Sequence, residues 1–140
     1  MHVEILDKLL VAAIFEAAEQ RLARAGELVR SEVADSIKIA PVGVPSPKGT
    51  PPHTHEGKRV DYKLKKAIAS AHDPETRTVV VGPAGVGAIG RVHEFGTRRY
   101  PRRAFMVPGM LGCLSAIPRF FSQLALASTR AGRALRAKRR

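Results

Sequence analysis

Apolar residues fall at steps of three and four along the first part of the chain: Leu6, Leu10, Ile14, Ala18, Leu22, Ala25, Val29 and Val33. Glu4, Lys8, Glu19, Arg30 and Glu32 lie off this stripe, as they do in an amphipathic helix. The pattern predicts a long helix from Met1 to about Ile39. A kink or break is expected at Gly26, where glycine costs roughly 1 kcal/mol relative to alanine. A second stripe follows Pro108: Met110, Leu114, Ile117, Phe121, Leu124, Ser128, Ala131 and Leu135. Proline suits the start of that helix, because its missing N–H would be unpaired there anyway. Pro118 is expected to kink or divide it, and Arg133–Arg140 to fray into solvent.

Between the two stripes the pattern changes twice. From Ala40 to Gly57, Pro41, Pro45, Pro47, Pro51 and Pro52 alternate with Gly43, Gly49 and Gly57. No helix survives this composition and no core face is visible, so an exposed arm is expected at 40–57. A short helical or extended lead-in then precedes a strand at Ala67–Ala71. Asp73-Pro74-Glu75-Thr76 is a turn signal, and Arg77–Val81, with three consecutive valines, is the clearest strand. Together they predict an antiparallel hairpin. Gly82–Gly90 is expected to be a flexible connection, with a short helix and strand between Arg91 and Val107. The whole chain, 1–140, is read as one α+β domain: a long N-terminal helix, a small mainly antiparallel sheet, and a C-terminal helix packed on it.

Charge adds an asymmetry that periodicity does not show. The formal net charge is +12, yet residues 1–39 carry seven carboxylates against five Lys or Arg. After Glu94 there is no Asp or Glu, while eleven basic residues run from Arg98 to Arg140. Such a stretch fits either phosphates or an acidic protein surface. Arg130, Arg133, Arg136, Lys138, Arg139 and Arg140 are the candidates for DNA or acidic-partner contact. No aromatic follows Phe121, so base stacking is unsupported there. The single Cys113 excludes an internal disulfide framework and is expected to act as a small buried hydrophobe. Glu4 and Asp7 interrupt the first apolar run, which argues against a signal peptide, and no stretch reaches the ~18–20 apolar residues of a membrane span. Synthesis and assembly in the cytoplasm are expected.

Three short motifs invite an enzymatic reading and fall short of it. Gly85-Val-Gly87-Ala-Ile-Gly90 follows a strand as a dinucleotide fingerprint does. That chemistry needs a helix opening onto the pyrophosphate and an acidic residue ~20 positions on, and no carboxylate follows Glu94. His93-Glu94 begins like a zinc-protease helix, but Thr97 stands where the second histidine is needed. His53 and His55 have no further ligand at useful spacing. No catalytic group, cofactor or metal is therefore expected.

Gly90-Arg-Val-His-Glu-Phe-Gly-Thr97, followed by Pro101-Arg-Arg-Ala-Phe-Met-Val-Pro108, resembles the phage head–tail joining (tail-completion) family. That family carries an "hEfGT" turn and a "P-x-x-F-h-x-P" stretch leading into its last helix. Pro51-Pro-His-Thr-His-Glu-Gly57 and Leu64-Lys-Lys-Ala-Ile68 look like its Pro-rich arm and strand start. Ala67 stands where Ser is frequent, and Gly109-Met110 where Ala-Leu is commoner. The resemblance spans nearly the whole chain, with its specific part at 90–108. It implies a non-enzymatic virion protein, assembling as a ring, usually sixfold, in the phage neck. Its expected partners are copies of itself, head-side adaptor or stopper proteins, tail terminator or tube proteins, and the passing DNA. A tail terminator or a freestanding basic nucleic-acid-binding protein is the alternative; for the latter, no helix-turn-helix, zinc or aromatic RNA-binding pattern is present.

The same residues have a physical reading. Gly96 permits a sharp or left-handed turn after Phe95, which is expected to insert into the core. Glu94 is expected to pair with Arg98, Arg99, Arg102 or Arg103, within the subunit or across a ring contact. Tyr100, Pro101 and Phe105 fix an extended segment before Pro108. The arm at 40–57 is expected to order on meeting a neighbour, so that deleting 44–56 leaves a folded subunit unable to join heads to tails.

Overall fold

The computed structural model describes residues 2–55 and 63–122. Helix α1 (His2–Ser36) is one unbroken element of 35 residues, about 52 Å long. The kink expected at Gly26 is absent, because strand β4 crosses the helix there: a Cβ at Gly26 would stand 2.2 Å from Val79 Cγ1. The glycine admits the sheet instead of breaking the helix. Past Ser36 the chain forms a two-residue strand β1 (Ile39–Ala40), which pairs in parallel with β2 (Thr54–His55). A single helical turn, α2 (Lys63–Ala67), leads into the hairpin β3 (Ile68–Asp73) and β4 (Thr78–Pro83). Two more helices follow, α3 (Gly87–Phe95) and α4 (Met106–Cys113), and residues 117–122 are again helical. Turn residues 114–116 separate those last segments just before Pro118, the division that the proline predicts.

The fold is α+β, with α1 spread across one face of the antiparallel hairpin. The hairpin register sets Ala71 opposite Val80 and Asp73 opposite Thr78. Side chains alternate across such a ribbon. Ile68 and Val81 face the core formed by Val33, Ala34, Ile37, Leu64 and Phe105, while Ala69, Ala71 and Val80 face outward. The turn is closed by Asp73, whose carboxylate accepts the Glu75 N–H (2.9 Å), the Thr76 N–H (3.4 Å) and the Thr76 hydroxyl (2.6 Å). Those donors, the hydroxyl first, hold its pKa below the usual carboxylate range. Arg77 takes the left-handed position (φ 52°) and lays its guanidinium 4.0 Å above the Phe15 ring.

Four expectations need correction. Gly82–Gly90 is not a loose connection: β4 runs to Pro83 and α3 opens at Gly87. No strand follows it before Val107. Helix α4 packs on α1, and it is α1 that covers the sheet. The contact with α1 is close because Gly109 meets Val33, where a Cβ would lie 2.9 Å from the Val33 Cα. Last, the Pro-rich segment does have a core face. Pro52 and Thr54 are buried, and Arg103 donates to the carbonyls of Ser46 and Pro47 (2.7 Å to Pro47). Val42 and Val44 stay exposed at its tip. Deleting 44–56 would thus cut into the core, and cannot test the arm alone. Residues 56–57 lie outside the described residues.

Candidate assembly interface

The conspicuous sequence motif folds into a knot between α3 and α4, and Glu94 is its centre. Glycine in α3 lets the helix lie close on β4, since a Cβ at Gly90 would stand 2.5 Å from Pro83 Cγ. That approach turns Gly90 and Glu94, one helical turn apart, toward the protein interior. Glu94 is only 6% exposed, and its carboxylate accepts the N–H groups of Phe105 (2.9 Å), Met106 (3.0 Å) and Val107 (3.2 Å). These are the first donors of α4, which have no carbonyl partner inside the helix. Pro108, next in line, has no N–H to satisfy, and the Gly109 N–H begins the helical ladder at Phe105 O. Every orphan amide of α4 is thereby accounted for by a carboxylate eleven to thirteen residues upstream. A negative charge at a helix N-terminus is also favoured by the aligned peptide dipoles.

Within the subunit the expected Glu94–arginine pair does not form among the described residues. Arg102 Nε instead donates to the main-chain carbonyl of Glu94 (2.9 Å), and the Arg103 N–H to that of His93 (2.8 Å). Backbone amides outcompete the guanidinium groups because they are already fixed beside the carboxylate. Gly96 turns the chain at φ 74°, ψ 176°, a region open essentially to glycine, and a Cβ there would lie 2.9 Å from the Arg102 nitrogen. Thr97 closes the turn, its hydroxyl accepting from Arg99 N (3.3 Å) and Tyr100 N (3.1 Å) while its N–H donates to Tyr100 O (2.8 Å). Arg98 and Arg99 project from this turn, exposed.

The expected burial of Phe95 is also overturned. Phe105 is the fully buried aromatic, and Phe95 is 72% exposed. Once Glu94 faces inward, the next residue on a helix points about 100° away, toward the outer surface. There Phe95 forms one wall of an apolar groove of about 660 Å³ with Val107, Ala69, Ala71 and Val80, rimmed by Arg91. Val80 is 66% exposed. A hairpin face this apolar and uncovered is the main surface feature that the sequence pattern did not reveal. Its signal was the alanine alternation Ala67, Ala69, Ala71, which reads equally well as a weak strand.

His93 is half-buried beside Arg103, and both desolvation and, secondarily, that positive charge hold its pKa below the usual histidine range. Cys113 is buried in α4 with its thiol directed at the Gly109 and Met110 carbonyls. Among the described residues no group of three His, Cys, Asp or Glu is placed to hold a metal ion, and no helix is long and apolar enough to cross a membrane. The glycine-rich turn at 85–90 has the strand–turn–helix order of a nucleotide cradle. It sits on a two-stranded antiparallel ribbon, however, and no acidic residue follows Glu94 to hold a ribose. The basic candidates from Arg130 to Arg140 lie outside the described residues. Comparison of the chain with family models, curated proteins and solved structures gives no match.

Proposed function

We propose that this chain is a structural subunit of a phage neck, a ring-forming protein that joins the head connector to the tail. The observation that carries the reading is the uncovered apolar groove of the hairpin, walled by Phe95 from within the HEFGT turn. A protomer that leaves Val80 and Phe95 in water keeps a surface of the kind that marks a protein–protein contact. The same turn is the part of the chain that resembles the head–tail joining family. Recognition is then spread over surfaces, and the motif's role is architectural: Glu94 ties α3 to α4, and the tie sets the angle at which Phe95 and Val107 face a neighbour.

Identical subunits joined by two different patches close into a ring when the rotation permits. A basic ring suits a genome passage, because phosphate contacts without base readout leave DNA free to slide. Head-side adaptor or stopper proteins and tail proteins are the neighbours in this reading, with assembly in the host cytoplasm. Native mass spectrometry and electron microscopy of the purified full chain test it: a closed ring, sixfold by family resemblance, is expected. A monomer at all concentrations, together with intact infectious virions lacking the protein, would overturn it. A freestanding nucleic-acid-binding protein is the second reading, favoured only by the +12 charge; tight DNA binding by an isolated monomer would support it.

A further inference from the structure

Where helix α1 meets the helical segment at 117–122, a cleft of about 390 Å³ opens between Arg21, Arg24 and Arg119, with Leu28, Ala116 and Phe120 as its apolar walls. None of the six lines the hairpin groove. One guanidinium nitrogen of Arg21 donates to the Phe120 carbonyl (2.8 Å), which ties the two helices together and holds that charge at the cleft wall. Arg24 stands one turn further along α1 and Arg119 across the cleft. Both are exposed, and neither guanidinium donates to any group among the described residues.

Three positive charges thus converge on one cleft with no carboxylate of the described residues to balance them. Glu27, one turn beyond Arg24, is taken by Arg30 (2.7 Å) and by the Ser70 hydroxyl (3.3 Å). Residues 76–122 hold a single carboxylate, Glu94, which is buried under three backbone amides, and residues 123–140 contain no Asp or Glu at all. Like charges at the spacing of Arg21 and Arg24 repel on a helix. Apolar walls such as Leu28 and Phe120 reduce screening by water, which strengthens both that repulsion and the pull on an incoming anion.

We infer that Arg21, Arg24 and Arg119 form a site for phosphate groups, those of a nucleic-acid backbone or of a free polyphosphate. One guanidinium fork saturates a carboxylate, whereas a phosphate offers more oxygens and more charge and accepts from several forks at once. A bound phosphate also relieves the repulsion among the three arginines, so it stabilises the folded chain by mass action. Such a site is independent of ring assembly and holds or fails without it.

Two double variants of the full chain, matched in charge, test the site. Arg24→Gln with Arg119→Gln removes two of its cations and leaves the Arg21–Phe120 bond; Lys38→Gln with Lys48→Gln removes two exposed cations elsewhere. All four side chains are exposed, so circular dichroism should match wild type. Binding is read by calorimetric titration with inorganic tripolyphosphate and by fluorescence anisotropy with a mixed-sequence DNA duplex. The arginine variant should bind its probe about 10-fold more weakly than the lysine variant. With duplex DNA, its slope of log K against log salt should fall by up to about 1.8, and that of the lysine variant by less than half as much. A bound probe should raise the melting temperature of wild type but not of the arginine variant. A selective loss with duplex DNA assigns the site to a nucleic-acid backbone, and a selective loss with tripolyphosphate alone assigns it to a free polyphosphate; either supports the site. Equal losses in the two variants would reduce the effect to net charge and overturn it. So would a wild-type chain that binds neither probe, or one that binds poly-glutamate as tightly as tripolyphosphate with the same dependence on Arg24 and Arg119.

Discussion

Glu94 shows how much one side chain can hold. Its carboxylate serves three backbone donors and leaves none of them to water. Truncation to Ala would strand buried N–H groups, each costing on the order of 1–3 kcal/mol, and remove a helix cap worth ~1 kcal/mol. We expect Glu94→Ala to destabilise the protomer by about 3 kcal/mol, and Glu94→Gln by about half as much, since one carbonyl oxygen remains. Urea denaturation would measure both, and equal stability of the Ala variant would refute the cap. The importance of this position was legible in the sequence, as the last carboxylate before a run of arginines. Its partner was not, because backbone amides leave no mark in a residue string, whereas Arg98, Arg99, Arg102 and Arg103 suggest themselves at once. The same blindness hid the direction of Phe95, which depends on which face of α3 meets Pro83.

Elements in this fold approach one another through glycine, and the approach predicts opposite outcomes for two neighbours in α4. A Cβ at Gly109 would crowd the Val33 backbone, whereas nothing lies within 4 Å of a Cβ at Gly112. Gly112→Ala should therefore stabilise by up to ~1 kcal/mol through helix propensity. Gly109→Ala should forfeit that gain and lose about 1–2 kcal/mol by forcing α4 off α1. Chemical denaturation of the pair checks the sign of each. The junction of α3 with the following turn makes a pH prediction. His93 is held neutral by burial and by Arg103, so its folded pKa lies below the unfolded value of about 6.5. As pH falls from about 6.5 toward the folded pKa, the unfolded chain binds a proton that the folded chain refuses, and stability drops; below the folded pKa the loss is complete. His93→Gln should flatten this part of the curve below about pH 6.5, read from urea midpoints. Periodicity located α1, the hairpin and the break before Pro118. It placed a short helix after Arg91 but missed that α3 opens at Gly87, because Gly87 and Gly90 read as a loop until the packing of Gly90 on Pro83 is known.

At the scale of the whole molecule, charge is the property that sequence gives most plainly and structure explains least. The acidic start of α1 and the carboxylate-free stretch after Glu94 lie at opposite ends of the chain. Fold class was legible because two helical stripes and a hairpin leave few ways to cover one sheet face. The groove was not, since an outward Ala-Ala-Val face is invisible until α1 is known to occupy the other side. If the basic C-terminal residues serve DNA, their contribution is electrostatic and must show as salt dependence. Each phosphate neutralised adds about 0.9 to the slope of log K against log salt. Replacing Arg130, Arg133, Arg136, Lys138, Arg139 and Arg140 by Gln should then lower that slope by up to about 5. Binding should weaken similarly on all duplex sequences, because phosphate contacts carry no base readout. An unchanged slope would remove these six residues from any phosphate contact. The exposed Arg91, Arg98 and Arg99 near the groove would then be the cations to replace next, and loss of ring assembly in that variant, at constant DNA affinity, would assign the positive charge to subunit docking.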